Sequence, residues 1–276
     1  MEQRPFGPTG IQVPVFGQGT WNMERDRALS IAALRRGLEL GMTHIDTAEM
    51  YGNGEVEEIV GEAIAERRQE VFLVSKVMPE NASRRGTITA CERSLRRLRA
   101  DYLDCYLLHW PSRHPLGDTI EAFEQLVRDA KIKSWGVSNF NEGAAEDAVR
   151  IAGPNRVACN QVPYHLEDRK IEQFVLPTCA RHQIAIVGYS PFGQGRFRSH
   201  RVLEEIARVR GATPRQVALR FLVHDPNVFA IPKAATLRHV EENAGAGNLH
   251  LTEDDIRRID EAFPAGRQRR RWLGLR

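Results

Sequence analysis

The chain has 276 residues, of which 42% are hydrophobic and 27% are charged, and its formal net charge is +3. This composition is that of a globular protein, and the length fits one large α/β barrel or two medium-sized domains. It excludes a disordered, collagen-like or coiled-coil chain, and no apolar run approaches the roughly 18 residues that a membrane span needs.

Apolar runs alternate along the chain with amphipathic stretches. The apolar runs predict eight strands, at 15–21, 43–47, 71–77, 103–109, 132–137, 157–162, 184–189 and 228–231. Apolar residues at helical spacing predict helices at 26–41, 56–64, 86–100, 119–130, 142–151, 170–182 and 214–224, and two more at 237–244 and 253–262. Residues 4–14 precede the first strand and predict a β-hairpin, which would close the bottom of a barrel.

Eight strands that alternate with helices are typical of a (β/α)8 barrel, the TIM-barrel fold. The strands are continuous apolar runs, as expected where both faces of a parallel sheet are covered. A doubly wound sheet in two domains is the competing interpretation, but no linker rich in Gly, Ser or Pro divides the chain. We therefore predict a single barrel over residues 1–276, with an N-terminal hairpin, extra C-terminal helices and a basic, solvated tail at 264–276.

The net positive charge belongs to this tail, which holds five arginines and no acid. The rest of the chain carries 34 basic against 36 acidic residues, so a nucleic-acid-binding face is not expected. The N-terminus does not resemble a signal peptide, and the four cysteines are scattered without a CxxC pair. These features predict a cytoplasmic protein with no membrane association, no disulfide framework and no metal site.

Polar side chains are predicted at the carboxyl ends of the strands, where barrel enzymes hold their active sites. Four of them, Asp46, Tyr51, Lys76 and His109, follow three neighbouring strands and suit carbonyl chemistry. An ammonium lowers the pKa of a nearby phenol, so Lys76, held by Asp46, would tune Tyr51 as a proton donor. His109 would hydrogen-bond the same carbonyl oxygen. The hydride must come from a cofactor, since no side chain supplies one.

A structural interpretation of the same residues stands beside the catalytic one. Taken singly, a histidine at a strand end is common as a satisfied polar group. The Asp46–Lys76 pair could simply be a buried ion pair that closes the barrel. Four matched groups that leave three adjacent strands favour the catalytic interpretation.

The chain resembles the aldo-keto reductase family, in particular its prokaryotic-type members of about this length. The segments that carry the resemblance are GQGTW (17–21), DTAEMYGN (46–53), VFLVSK (71–76), DYLDCYLLHWP (101–111), WGVSNF (135–140), NQVPYH (160–165), GYSPFGQG (188–195) and IPKAATLRHVEEN (231–243). The resemblance implies a (β/α)8 barrel that reduces aldehydes and ketones with NADPH. It implies Tyr51 as proton donor, Lys76 and Asp46 as the residues that tune it, and His109 as the residue that orients the substrate.

The resemblance also implies which residues bind the cofactor and the substrate. Ser138, Asn139 and Gln161 match the positions that hold the nicotinamide amide, and Tyr189 matches the residue that stacks on its ring. The other implied cofactor contacts are Gly19, Thr20 and Ile231 on the first and last strands, Ser190, Phe192 and Gln194 near the pyrophosphate, and Lys233, His239, Glu242 and Asn243 toward the adenosine. Trp21 and Trp110 match aromatic walls of the substrate pocket, although plain core or rim packing would also account for them.

One departure from the family pattern concerns the 2′-phosphate of NADPH. Members that prefer NADPH carry serine after this lysine and arginine six residues beyond it, whereas this chain has Ala234 and His239. Arg238 is adjacent, but neighbours on a helix point about 100° apart. We therefore expect NADPH to be used with a weakened preference, so that NADH also serves.

A second departure is the short segment at 193–200, where larger members have longer covering loops. An open pocket predicts broad specificity for small aldehydes and ketones, acted on by a monomer. Two alternatives stay open. One is the reverse direction, as an alcohol or sugar dehydrogenase, and the other is a cofactor-sensing regulatory subunit, like the relatives that partner ion channels. A metal-dependent hydrolase would need more ligands than His109 and Asp46.

Overall fold

Parallel strands form a barrel in the computed structural model, which describes residues 1–266. A hairpin of two antiparallel strands comes first, β1 (Gln3–Pro5) and β2 (Gln12–Pro14). The barrel strands are β3 (Gln18–Gly19), β4 (His44–Asp46), β5 (Phe72–Val77), β6 (Leu103–Leu108), β7 (Ile132–Ser138), β8 (Val157–Pro163), β9 (Ala185–Tyr189) and β10 (Val228–Ile231). They pair in chain order and in parallel, which confirms the (β/α)8 fold and the N-terminal hairpin.

Ten α-helices lie among the described residues, at least one after each barrel strand. They are α1 (Arg27–Glu39), α2 (Glu55–Ile64), α3 (Arg84–Leu98), α4 (Leu116–Arg128), α5 (Glu142–Ala152), α6 (Val175–Arg181), α7 (Arg201–Arg210), α8 (Pro214–Leu222), α9 (Leu237–Gly245) and α10 (Glu253–Ala262). Two helices follow β9 and two follow β10. The sequence predicted all of them except α7, although Val202, Leu203, Ile206 and Ala207 recur there at helical spacing.

The barrel closes where the segment around β3 meets β10. Ala230 N donates a hydrogen bond to Val15 O at 2.9 Å, and Ala230 O accepts a hydrogen bond from Gly17 N at 2.9 Å. Gly19 N then donates to Pro232 O at 3.2 Å. A Cβ at Gly19 would lie only 2.7 Å from Ile231 O, so only glycine permits this approach.

The hairpin covers the bottom of the barrel, as predicted. Phe6 is completely buried, and its ring centroid lies 4.8 Å from that of Phe72 and 5.2 Å from that of Phe229. Both partners stand near the starts of their strands, so Phe6 fills the end opposite to the carboxyl ends. Apolar side chains from the strands fill the interior above it, which leaves the carboxyl ends as the place for a cavity.

Three other expectations bear on cysteines, membranes and the tail. Cys91, Cys105, Cys159 and Cys179 are buried free thiols. Within residues 1–266, no helix is both long enough and apolar enough to cross a bilayer. The predicted basic tail lies outside the described residues from position 267 onward.

Candidate active site

A cavity of about 640 Å³ opens at the carboxyl ends of the barrel strands. All the predicted site residues line it except Lys76, Glu242 and Asn243. Those that do are Gly19, Thr20, Trp21, Asp46, Tyr51, His109, Trp110, Ser138, Asn139, Gln161, Tyr189, Ser190, Phe192, Gln194, Ile231, Lys233 and His239. The topology therefore brings residues from the ends of seven of the eight barrel strands, or from the loops that follow them, into one space, and β5, which carries Lys76, is the exception.

Lys76 lies beneath the cavity floor, at the centre of a compact polar cluster. Its ammonium is fully buried and donates to Asp46 Oδ1 at 2.6 Å and to Thr47 O at 2.8 Å. It also donates to the Tyr51 hydroxyl oxygen at 3.4 Å. Because β4 and β5 are adjacent and parallel, Asp46 and Lys76 approach one another from their carboxyl ends. The ammonium thus has three oxygen acceptors and no contact with solvent.

Tyr51 reaches this cluster from a tight turn after β4. The turn at Tyr51–Gly54 contains three residues in the left-handed region, Gly52 at φ 53°, Asn53 at φ 52° and Gly54 at φ 97°. Glycine and asparagine adopt this conformation most readily, so the local sequence suits the turn. The turn leads directly into α2, which fixes the phenol above Lys76.

The acid–base properties of Tyr51 differ from the sequence expectation. Burial raises the pKa of Tyr51, the Lys76 ammonium lowers it, and the Asp46 carboxylate raises it again. Lys76 acts in the predicted direction, but burial outweighs it and the net shift is upward. The phenol is therefore protonated at neutral pH, which is the state that a proton donor requires. Burial also opposes the charge of Lys76, yet Asp46 and Tyr51 raise the pKa of Lys76 above its usual value.

His109 stands at the end of β6, with its ring edge-on to that of Tyr51 at a centroid distance of 5.8 Å. Burial, assisted by the charge of Lys76, lowers the pKa of His109 to about 3. The imidazole is therefore neutral at physiological pH. Its Nδ1 is buried and has no hydrogen-bond partner within residues 1–266. A neutral ring can donate one N–H to a ligand in the cavity.

A chain of hydrogen bonds joins the polar residues on the other side of the cavity. Tyr189 OH donates to Asn139 Oδ1 at 2.8 Å, and Asn139 Nδ2 donates to Ser138 Oγ at 3.1 Å. Ser138 Oγ donates to the backbone oxygen of Gln161 at 2.8 Å. Gln161 Nε2 donates to Asp46 Oδ2 at 2.7 Å, which ties this chain to the Lys76 cluster. The predicted amide-binding residues therefore form one ordered wall.

The predicted adenosine-side residues separate into two groups. Lys233 and His239 line the cavity, whereas Glu242 lies on α9 outside it. Glu242 Oε1 accepts a hydrogen bond from Thr213 Oγ1 at 2.8 Å, and its Oε2 lies 3.6 Å from Arg215 Nε. Asn243 is buried on the same helix. Glu242 thus joins α9 to the start of α8 rather than facing the cavity.

Six of the residues that the structure describes line the cavity although the sequence did not predict them. They are Asn22, Arg25, Met50, Pro191, Gly195 and Arg215. Pro191 and Gly195 lie inside the quoted segment 188–195, and Met50 directly precedes Tyr51, so adjacency would have found them. Arg215 follows a helix cap far from every quoted segment, and no local pattern marks it. Within the described residues, no group of three or more His, Cys, Asp or Glu is placed to hold a metal.

Comparison with known proteins extends the likeness over the whole barrel. A sequence model of the aldo/keto reductase family matches residues 15–263. Methylglyoxal reductase YeaE of Escherichia coli (strain K12) is 44% identical over 274 residues, which are 96% of this chain and 96% of that protein. Glyoxal reductase of Bacillus subtilis (strain 168) is 35% identical over 255 residues, 91% of this chain and 89% of that protein. The crystal structure of an aldo/keto reductase from Klebsiella pneumoniae in complex with NADP and acetate superposes with a TM-score of 0.91, at 40% identity, over 100% of both chains.

Proposed function

This chain belongs to the aldo/keto reductase family, and we propose that it reduces small aldehydes and ketones with NADPH, α-oxoaldehydes above all, using Tyr51 as the proton donor. The observation that carries the proposal is the position of Lys76. Its buried ammonium holds Asp46 on one side and the Tyr51 hydroxyl on the other, directly below a cavity. Carbonyl reduction with NAD(P)H is also what the named relatives support, so the dehydrogenase and regulatory alternatives are not favoured.

The residues present fit an extended dinucleotide. One part of the cavity offers the amide and hydroxyl groups of Ser138, Asn139 and Gln161, which suit a carboxamide. Another part offers cationic side chains, Lys233 and Arg215, which suit phosphates. When bound, NADPH supplies the hydride that no side chain can provide. The four polar groups Tyr51, Lys76, Asp46 and His109 then act on the carbonyl oxygen and its proton.

Tyr51 donates its proton to the carbonyl oxygen as that oxygen gains negative charge. The phenolate left behind lies 3.4 Å from the Lys76 ammonium, so it forms beside a positive charge already in place. Asp46 fixes that ammonium and keeps it charged. A positioned general acid of this kind contributes about 10²- to 10⁴-fold in rate.

His109 positions the substrate. Because its pKa is lowered to about 3, the ring is neutral and donates a single N–H instead of competing with Tyr51 as a strong acid. Its edge-on packing against Tyr51 directs both groups toward the same region of the cavity. Two donors that converge on one oxygen hold the carbonyl carbon in place for hydride attack.

The substrate class follows from the mouth of the cavity and from the relatives. Trp21 is 48% exposed and Met50 is 39% exposed, so the apolar rim is open rather than closed over a shaped pocket. Such a rim admits small carbonyl compounds and discriminates weakly among them. The names of the two relatives indicate methylglyoxal and glyoxal, whose adjacent carbonyls are strongly electrophilic.

The test is NADPH oxidation by the purified protein against methylglyoxal, glyoxal, simple aldehydes, diketones and sugars. We expect the two α-oxoaldehydes to give kcat/KM values at least about tenfold above those of the sugars. Binding of NADPH without oxidation by any of these carbonyls would contradict the proposal and favour a regulatory role. One substrate outside the α-oxoaldehydes that is handled far better than all others would contradict the substrate class.

The cofactor preference expected from the sequence stays a prediction. Ala234 and His239 lack the hydroxyl and guanidinium that favour the 2′-phosphate, so NADH should also serve. The ratio of kcat/KM for NADPH and NADH measures this preference. A ratio above about a thousand, or some 4 kcal/mol, would contradict shared use of both cofactors.

We also propose that the protein acts as a monomer in the cytoplasm and binds no nucleic acid. The exposed large apolar side chains of residues 1–266 are scattered over separate elements, and the four cysteines are free thiols, as in a reducing compartment. Size-exclusion chromatography with light scattering tests the monomer. A dimer mass at micromolar concentration would contradict it.

A further inference from the structure

A guanidinium occupies the cavity although the sequence pattern lacks the arginine expected at position 239. Arg215, at the second position of α8, lines the cavity together with Lys233 and His239. It also lies beside α9, since its Nε is 3.6 Å from Glu242 Oε2. Glu242 and His239 are three residues apart and share one face of α9. Arg215 therefore stands within about one helical turn of the position that lacks arginine.

The side chain of Arg215 is held in a defined place. Its guanidinium carbon lies 3.9 Å from the ring centroid of Phe192 and 5.5 Å from that of Phe197. Both aromatic residues belong to the segment after β9, so Arg215 bridges that segment and α9. A stacked guanidinium keeps its planar donors free to meet a ligand edge-on. Arg215 is half-buried, whereas Lys233 and His239 are exposed.

Stacking on Phe192 and the ion pair with Glu242 hold this arginine, but its position at the start of α8 disfavours its charge. A cation in the first turn of a helix opposes the helix dipole, and α8 has no acidic residue in its first turn. The nearest carboxylate, Glu242, lies beyond hydrogen-bond length from Nε, and Nε is buried with no hydrogen-bond partner in the described part of the chain. A phosphate in the cavity would add a second counter-charge beside this cation.

We propose that Arg215 binds the 2′-phosphate of NADPH, in place of the arginine absent at position 239, with Glu242 as the positioning residue that holds it against α9. This inference rests on the proposed use of NADPH. Arg215 would then supply part of the discrimination that Ala234 and His239 lack, so NADPH is preferred while NADH still serves.

Calorimetric binding of 2′,5′-ADP and 5′-AMP tests the role of Arg215 without turnover. Arg215→Ala should weaken 2′,5′-ADP about tenfold or more and change 5′-AMP less than about twofold, since only the former carries the 2′-phosphate. Arg258→Ala is the matched control. Arg258 is as exposed as Arg215 and pairs with Glu205 between α10 and α7, away from the cavity. We expect it to change neither affinity, and thermal melting confirms that both variants are folded.

A double variant distinguishes two causes of weaker binding in R215A. One is the loss of a contact between Arg215 and the phosphate, and the other is repulsion of the phosphate by the Glu242 carboxylate once its cation is gone. If Arg215 binds the phosphate, R215A/E242Q stays weakened for 2′,5′-ADP. Recovery to wild-type affinity would overturn the proposal, because the loss would then come from the exposed carboxylate. Equal loss of both ligands, or no loss, in R215A would also overturn it. If the wild-type protein binds neither ligand nor NADPH, the proposed function itself fails.

Discussion

Replacing Lys76 by methionine separates the structural from the catalytic role of the buried ion pair. Lys76 is fully buried and Asp46 is 2% exposed, so Lys76→Met leaves a carboxylate without its cation inside the barrel. Removal of one partner from such a pair costs about 3–5 kcal/mol of unfolding free energy. We therefore expect K76M to be destabilised by that amount in urea unfolding.

The double variant D46N/K76M is expected to recover stability but not activity. Asparagine at position 46 and methionine at position 76 are both neutral, so no unpaired carboxylate stays buried. The asparagine oxygen can still accept the hydrogen bond from Gln161 Nε2 that Asp46 Oδ2 accepts at 2.7 Å. Thr47 O loses a donor, which limits the recovery to about 2 kcal/mol. No ammonium lies beside the phenol in this variant, so kcat/KM for methylglyoxal should stay at least about 100-fold below that of the wild type.

The assay pairs urea unfolding with NADPH oxidation under conditions where each variant is folded. Arg97→Met is the matched control, because Arg97 pairs at 2.6 Å with the fully buried Glu57 outside the cavity. It should lose stability and keep its kcat/KM. Recovery of both stability and activity in D46N/K76M would refute the catalytic role of Lys76.

Three further predictions concern pH and the rim of the cavity. Complete burial lowers the pKa of His44 to about 3 from its ordinary 6.5. The free energy of unfolding of the wild type should therefore fall as pH drops from 6.5 toward 3. His44→Leu should reduce this pH dependence, measured by urea unfolding, by up to about 1.4 kcal/mol per pH unit. The pKa of His109 is lowered to about 3 as well, so kcat/KM for methylglyoxal should not decline as pH falls through 6.5. A decline near pH 6.5 that disappears in His109→Gln would contradict a neutral ring. Trp21→Ala should raise KM for methylglyoxal roughly tenfold with little change in kcat, whereas Phe174→Ala, 61% exposed off the cavity, should change neither.

The fold could be predicted because its signals are local. Continuous apolar strands between amphipathic helices specify a covered parallel sheet, and a cap followed by proline marks the start of α8 at Thr213 and Pro214. The missed helix α7 carried its own signal in the spacing of Leu203 and Ile206. Local and tertiary forces agree in this segment, so the helix is predictable from the sequence alone.

The site could be predicted only as far as chain position determines it. Asp46, Lys76 and His109 end or nearly end their strands, and the barrel topology alone gathers them. The net pKa shift of Tyr51 depends on how deeply the phenol is buried, and the spacing of residues along the sequence does not reveal that depth. Arg215 enters the cavity because α8 packs beside α9 and the segment after β9, a tertiary arrangement that the local sequence does not encode.

The central claim is that Tyr51 delivers the proton, and Tyr51→Phe tests it most directly. This change removes one hydroxyl, 3.4 Å from Lys76 Nζ, and keeps the ring that packs against His109. Tyr102→Phe is the matched control, since its hydroxyl bonds Gln69 and does not line the cavity. We predict that Y51F binds NADPH with unchanged Kd and reduces methylglyoxal about 10²- to 10⁴-fold more slowly, while Y102F equals the wild type. Reduction by Y51F at the wild-type rate would contradict the mechanism.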